Sequence, residues 1–193
     1  MTAADRERWD AKYAERARPT TLAPPEWLVQ QASPLKPGRA LDLACGEGRA
    51  AIWLAAQGWE ATGIDISPLG LNRAKTLAEE QNLTVSWVAA DLDDFSLGSE
   101  QYDLITVFRF LDRELTARIS DALRPGGIVI YETFLSVPGR ESERSVQNPV
   151  FRLQPGELPR LFAGLLVMAY EEVVKDGEEF ARLVARKPFA FTT

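Results

Sequence analysis

Three aspartates stand at the ends of successive apolar runs of the sequence: Asp42, Asp65 and Asp91. A turn containing two glycines, Gly46 and Gly48, follows the first of these runs. Glycine permits backbone conformations that are closed to other residues and lets a ligand approach the main chain closely. Carboxylates accept hydrogen bonds from hydroxyl and amino groups. Together these residue types are suited to hold a nucleotide-like cofactor.

The elements that must position these residues alternate between strands and helices. Strands are predicted at residues 39–43, 59–64, 84–89, 102–108 and 128–133, and the helices between them at 48–57, 67–81 and 112–123. This alternation predicts an α/β fold with one Rossmann-like, doubly wound sheet that is mostly parallel. Ligands of such sheets bind outside the carboxyl ends of the strands, where all three aspartates fall.

The two ends of the chain show other patterns. Residues 4–16 are predicted to form a polar helix on which Trp9 and Tyr13 share one face. The polar segment 136–148 is interpreted as a lid loop, and two strand-like runs follow it at 164–174 and 178–186. The dipeptide Asp176-Gly177 between those runs is a strong hairpin signal, so the sheet is expected to end in an antiparallel strand.

Composition excludes several classes of protein. The 193 residues are 46% hydrophobic and 26% charged, which is typical of a globular domain. A net charge of −6 argues against nucleic acid as the main partner. No apolar stretch is long enough to cross a bilayer, and the first eighteen residues lack the apolar core of a signal peptide. A cytoplasmic protein without a membrane or nucleic-acid partner is expected.

The chain has no histidine and only one cysteine, Cys45. It therefore lacks the commonest general base, and it has neither an internal disulfide nor a cysteine-rich zinc site. Acid–base chemistry must come from carboxylates, tyrosine, lysine or water. No metal site is expected, and Cys45 is interpreted as a small packed residue rather than a nucleophile.

The motifs resemble, in order and spacing, those of class I S-adenosylmethionine-dependent methyltransferases. The matching segments are residues 41–49, 63–67, 90–92, 102–105 and 123–127. The segment Trp9-Asp10-Ala11-Lys12-Tyr13, together with residues 131–134, 151–158 and 183–187, is similar to the small bacterial tellurite-resistance and thiopurine-type branch. The expected organisation is one domain over residues 1–193. Its parts would be a helical cover (1–35), a cofactor-binding core (38–135), and a lid loop with a C-terminal hairpin (136–193).

This resemblance implies S-adenosyl-L-methionine as cofactor and S-adenosyl-L-homocysteine as product. Asp65 would accept hydrogen bonds from the ribose hydroxyls and Asp91 from the adenine amino group. Asp42 would meet the cationic part of the cofactor or fix the turn. Ala44 stands where the family has its first glycine, and it is expected to need no unusual backbone angle. The remaining expected cofactor-binding residues are Trp9, Tyr13, Cys45, Gly46, Gly48, Ile66, Leu92 and Phe108.

The methyl acceptor is expected to be a small molecule, with two candidate catalytic residues. Arg109 would hold an anionic acceptor, or it would form a surface salt bridge with Asp112 or Glu114. Glu132 would serve as a base or binding group, or as a structural carboxylate tied to an arginine or a backbone N–H. The resemblance does not imply tellurite methylation for this chain, because residues 174–177 lack the His-Arg pair of the tellurite-resistance enzymes.

Two other functions compete with methyl transfer. The spacing Gly46-x-Gly48-x-x-Ala51, with Asp65 downstream, also matches the dinucleotide fingerprint of an NAD(P)-dependent oxidoreductase. The third possibility is a methyltransferase-like protein that binds the cofactor without turnover.

Overall fold

A computed structural model describes residues 3–19, 22–139, 146 and 148–189. They fall into two compact units, Met1–Ser96 and Leu97–Thr193. Within the described ranges, none of the helices has both the length and the apolar character that a membrane span requires.

Among its described residues, the first unit contains three strands and four helices. The strands are β1 (Arg39–Leu43), β2 (Glu60–Asp65) and β3 (Ser86–Ala89), and the helices are α1 (Ala3–Ala14), α2 (Glu26–Ala32), α3 (Arg49–Ala56) and α4 (Pro68–Glu80). Strand β2 lies between β1 and β3 and pairs with both in parallel. One register row joins Asp42, Gly63 and Trp87 across the three strands.

Local sequence explains where α4 begins. Ser67 is its N-cap, and the side chain accepts a hydrogen bond from the Gly70 amide at 3.0 Å. Pro68 occupies the first helical position, where its fixed φ suits the helix and its missing N–H costs nothing. Helix α4 then packs against α3 through a buried cluster of Ile52, Leu77 and Ala78.

The part of the second unit that the structure describes contains four strands and two α-helices. Its elements are β4 (Tyr102–Phe108), α5 (Leu115–Ala122), β5 (Leu123–Phe134), a short 3-10 helix (Pro149–Phe151), α6 (Glu157–Leu161), β6 (Leu166–Lys175) and β7 (Glu178–Arg186). Strands β4 and β5 are parallel, whereas β7 is antiparallel to both β5 and β6. The mostly parallel fold with an antiparallel ending is thus confirmed, and the ending consists of two strands. Asp176 and Gly177 both have positive φ, which suits the tight turn of this hairpin.

Several predicted boundaries were wrong. Strand β2 lies one residue later than predicted, and β3 begins at Ser86 rather than at residue 84. Helix α5 begins at Leu115 rather than at residue 112, because the Asp112 side chain accepts hydrogen bonds from the Glu114 and Leu115 amides in a turn ahead of the helix.

Strand β5 also differs from its predicted range. It begins at Leu123 rather than at residue 128, and it therefore includes Pro125, Gly126 and Gly127. Backbone hydrogen bonds from Gly126 to Lys187 and from Lys187 to Gly127 hold this segment against the residue that follows β7. Most of the predicted lid, residues 140–145 and 147, lies outside the described residues.

Candidate functional site

The end of β1 is tied to the start of α3 by Asp42. This buried carboxylate accepts a hydrogen bond from the Ala51 amide, with Oδ2 at 3.2 Å from the nitrogen. Asp42 therefore fixes the glycine turn between the strand and the helix, which is one of the two roles expected of it. The turn is closed further by hydrogen bonds from Gly48 to the Cys45 carbonyl and from Cys45 to the Ile64 carbonyl.

The backbone of the turn is left-handed at three positions. Gly46 and Gly48 have φ values of 56° and 80°, and Ala44 has a φ of 52°. The expectation that Ala44 needs no unusual backbone angle was therefore wrong. A residue with a Cβ in this region brings that atom close to its carbonyl oxygen, at a cost of about 1–2 kcal/mol. The glycine that the family places here would relieve this contact.

Asp65 at the end of β2 faces the glycine turn. Its Oδ2 accepts a hydrogen bond from the Gly46 amide at 2.7 Å, and its Oδ1 accepts one from the Ser67 amide at 2.9 Å. Burial raises the pKa of this carboxyl, although the two amide hydrogen bonds act in the opposite direction. Each carboxylate oxygen has more than one acceptor site, so Asp65 can still accept hydrogen bonds from a diol. Its neighbour Ile66 is also buried.

Asp91 and Leu92 follow β3. The Asp91 Oδ1 accepts a hydrogen bond from the Asp93 amide at 2.9 Å, and the Asp91 carbonyl accepts one from Phe95. These bonds fold the chain into a turn after the strand. Asp91 remains half-buried, whereas Leu92 is fully buried. An accessible carboxylate beside an apolar side chain is compatible with an adenine site.

Trp9 and Tyr13 lie on one face of α1, with their ring centroids 6.0 Å apart. Tyr13 is the buried member of the pair, and its ring contacts the glycine turn at Gly46 and helix α4 at Gly70. Helix α1 is held there by Asp10, whose carboxylate accepts hydrogen bonds from the Ser67 hydroxyl and from the Leu69 amide. Asp10 was not among the expected site residues, although it stands between Trp9 and Tyr13 in the matching segment.

Trp87 was also missed as a site residue. Its ring fills the space beside Gly48 and Gly63, since a Cβ on either glycine would come within 2.6 Å of it. Only the pairing of β2 with β3, which aligns Gly63 with Trp87, brings these residues together. The Trp87 ring thus packs against the glycine turn at Gly48 and supports it.

Contacts of Arg73 also stiffen the turn. Arg73 of α4 forms an ion pair with Glu47 at 3.1 Å and donates a second hydrogen bond to the Arg16 carbonyl at 3.0 Å.

Burial, together with the charges of Asp42 and Asp65, raises the pKa of the Cys45 thiol well above its usual value. A thiol that stays protonated is a poor nucleophile, which supports the interpretation of Cys45 as a packed residue.

In the second unit, Phe108 and Arg109 stand at the end of β4. Phe108 is half-buried and pairs in register with Glu132 of β5. Arg109 is exposed, has a left-handed φ of 59°, and donates its backbone N–H to the Glu132 carbonyl at 2.8 Å. Its guanidinium lies 6.0 Å from the centroid of the Phe180 ring. Over the residues that the structure describes, Arg109 forms no ion pair with Asp112, Glu114 or any other carboxylate.

Glu132 is buried and ion-paired. Its Oε2 lies 2.6 Å from Nε of Arg182, and the same arginine contacts Glu171 at 3.0 Å. This is the arrangement expected of a structural carboxylate tied to an arginine. Across the described ranges, no group of three or more Asp, Glu or Cys side chains could hold a metal ion.

Comparison with known proteins decides which cofactor chemistry this geometry belongs to. Residues 40–127, which contain the glycine turn, Asp65 and Asp91, match the family model described as "Methyltransferase domain". The match covers 88 of the 193 residues, and the fold is that of class I S-adenosylmethionine-dependent methyltransferases. S-adenosyl-L-methionine is accordingly its cofactor, as predicted. The family match decides against the nicotinamide fingerprint in the same turn.

Three individual proteins show how far this similarity extends. The methyltransferase domain is similar to a ubiquinone biosynthesis O-methyltransferase of Histophilus somni (28% identity, 64% of this chain and 55% of that protein). It is also similar to a 2-heptyl-1-hydroxyquinolin-4(1H)-one methyltransferase of Mycobacteroides abscessus (28% identity, 79% of this chain and 76% of that protein). The solved structure of TehB from Haemophilus influenzae has the same fold, with a TM-score of 0.72 at 20% identity over 93% of this chain and 67% of that one. The chain spans about half the length of the first of these relatives.

Proposed function

We propose that this chain transfers a methyl group from S-adenosylmethionine to a small-molecule acceptor. The observation that carries the proposal is the link between the Asp65 carboxylate and the Gly46 amide, which brings a diol-binding group against the glycine turn. Two curated relatives are named as methyltransferases of small-molecule chemistry, and their names support an acceptor of that size.

Each cofactor-contacting residue has a proposed role. The turn at Gly46 and Gly48 lies against the methionine part and the ribose. Asp65 accepts hydrogen bonds from the ribose hydroxyls, and Asp91 accepts one from the adenine amino group. Tyr13 covers the turn, because its ring already packs against Gly46. The remaining proposed contacts are those of Trp9, Asp42, Ala44, Cys45, Ile66, Leu92 and Phe108.

Methyl transfer demands little acid–base chemistry from the protein. S-adenosylmethionine, held by the glycine turn and Asp65, would supply a methyl group already activated on its sulfonium sulfur. A lone pair of the acceptor would take up that methyl group, and S-adenosylhomocysteine would be left as the product. Any proton on the acceptor atom passes to water. The protein contributes by aligning the acceptor with the methyl group, and alignment is a large catalytic effect in general. A chain without histidine is suited to such a reaction.

Calorimetry with S-adenosylmethionine, S-adenosylhomocysteine and NAD tests the proposed cofactor site. We expect both sulfur compounds to bind and NAD not to bind. Asp65→Asn should weaken S-adenosylhomocysteine binding by about tenfold or more, a loss of at least 1.4 kcal/mol. Glu60→Gln, at the exposed start of the same strand, is the matched control and should bind as the wild type does. Unchanged affinity in Asp65→Asn would refute the ribose assignment.

A panel of small-molecule acceptors tests turnover. Formation of S-adenosylhomocysteine above background with any acceptor supports an enzyme. Tight cofactor binding without product on a broad panel would favour the non-catalytic cofactor-binding protein instead.

A further inference from the structure

Four residues of the second unit share one register row across neighbouring strands. Phe108 of β4 pairs with Glu132 of β5, which pairs with Arg182 of β7, which pairs with Glu171 of β6. The Glu132 and Arg182 side chains are both 11% exposed, whereas the Glu171 side chain is 41% exposed. The buried charge of Glu132 is therefore matched by Arg182, while the charge of Glu171 is screened by solvent.

Arg109 directly follows this row, and its charge is not matched in the same way. Its guanidinium rests over the Phe180 ring, and no described carboxylate lies within ion-pair distance of it. The carboxylate of Glu132, whose strand partner is the residue before Arg109, is already paired with Arg182. Arg109 thus presents a positive group at the carboxyl end of β4.

The neighbouring Arg152 shows the contrast. It lies over the Phe134 ring at 5.6 Å, and Phe134 in turn stacks with Phe180 at 5.3 Å. Arg152 is fully buried and is neutralised by Glu179 at 2.7 Å and Glu178 at 3.2 Å. Arg109 lies at the opposite end of this aromatic stack, over the Phe180 ring, but no described carboxylate pairs with its guanidinium. The stack therefore orients the Arg109 guanidinium without cancelling its charge.

We infer that Arg109 binds a negatively charged group of the methyl acceptor, and that Arg182 is a positioning residue that preserves this preference by holding Glu132. The inference rests on the proposed methyltransferase function. Ligands of α/β sheets bind outside the carboxyl ends of the strands, where Arg109 stands. A guanidinium presents paired N–H donors that match a carboxylate or a similar oxyanion. The acceptor class is a small organic anion, and Glu132 is a counter-charge to Arg182 rather than a base.

Titration of the whole chain, saturated with S-adenosylhomocysteine, tests this site with defined probes. The probes are benzoate and acetate, each compared with its neutral amide, benzamide or acetamide, and binding is followed by NMR. We expect at least one anion to bind in preference to its amide. Arg109→Gln should weaken that binding by about tenfold. Arg186→Gln is the matched control, because Arg186 also rests on an aromatic ring, that of Phe189, and it should bind as the wild type does.

Variants of the ion pair test the positioning role. Arg182→Gln should weaken anion binding, because the released Glu132 carboxylate then competes for Arg109. Adding Glu132→Gln to that variant should restore binding, a recovery that loss of packing alone would not produce. Equal or absent binding of anion and amide, equal effects of the Arg109 and Arg186 variants, or no recovery in the double variant would each overturn the inference. Since every titration begins by measuring S-adenosylhomocysteine affinity, loss of that affinity in the wild type would instead overturn the proposed function.

Discussion

The phenolic oxygen of Tyr13 lies so close to the main chain of Gly46 that a Cβ atom on Gly46 would stand 2.5 Å from it. The same ring contacts Gly70, where a Cβ atom would stand 2.9 Å from Cε2. Tyr13 therefore fits against two residues that have no side chain, one in the glycine turn and one in the first turn of α4. This fit packs α1 against the candidate cofactor site.

Replacing Gly46 by alanine should destabilise the protein through two separate effects. The φ of 56° costs an alanine about 1–2 kcal/mol, and the contact with Tyr13 adds about 1–3 kcal/mol of overpacking. Tyr13→Phe removes the clashing oxygen, so Gly46→Ala should cost less free energy of unfolding in that background. Urea unfolding of the four proteins in this double-mutant cycle measures the coupling.

Gly177 provides the control for backbone strain alone. It also has a positive φ, of 80°, but a Cβ there would meet nothing within 4 Å. Gly177→Ala should therefore cost only the strain and should show no coupling to Tyr13→Phe. A coupling of zero between positions 46 and 13 would contradict the described contact.

Asp10 should be needed to hold α1 in place. Its carboxylate accepts hydrogen bonds from Ser67 and from Leu69 at the N-terminus of α4. Asp10→Ala should cost about 1 kcal/mol of stability, a typical value for a lost helix-cap interaction. Faster hydrogen exchange of the α1 amides and weaker S-adenosylhomocysteine binding should accompany this loss. Glu7→Ala, at an exposed position of the same helix, should leave the binding unchanged.

Ala44→Gly should leave stability unchanged or raise it by about 1 kcal/mol. Relief of the left-handed strain, about 1–2 kcal/mol, opposes the extra entropy of glycine in the unfolded chain, about 0.4–1 kcal/mol. Ala55→Gly inside α3 has no such strain to relieve and should destabilise by about 1 kcal/mol. Thermal unfolding of both variants compares the two sites, and equal losses would argue against the left-handed conformation of Ala44.

The pH dependence of stability should reveal the buried carboxyl of Asp65. Burial raises its pKa in the folded state, so the native protein holds this proton to a higher pH than the unfolded chain does. The contribution of Asp65 to stability is then fully present below its unfolded pKa and is lost as pH rises through its folded pKa. The unfolding free energy of wild type minus that of Asp65→Asn should fall as the pH rises above the ordinary aspartate pKa of 3.8. Urea unfolding without cofactor measures it, and a difference that rises with pH would contradict the sign.

Local patterns in the sequence determined most of the fold. The alternation of apolar runs with helical segments predicted the order of elements, because burial on both faces of a parallel strand requires a continuous apolar run. Strands β1, β4 and β7 begin and end where they were predicted to. The same patterns identified the glycine turn and Asp65, since both follow directly from strand ends.

Pairings between distant residues were decided only by the tertiary structure. The left-handed Ala44, the Tyr13 ring against Gly46 and the Trp87 ring beneath Gly48 depend on how helices and strands pack, which no local pattern encodes. The extension of β5 through its glycines depends on pairing with Lys187, far away in sequence. Whether Glu132 is a free base or a paired carboxylate likewise depended on Arg182, which lies opposite it only because β7 is antiparallel to β5.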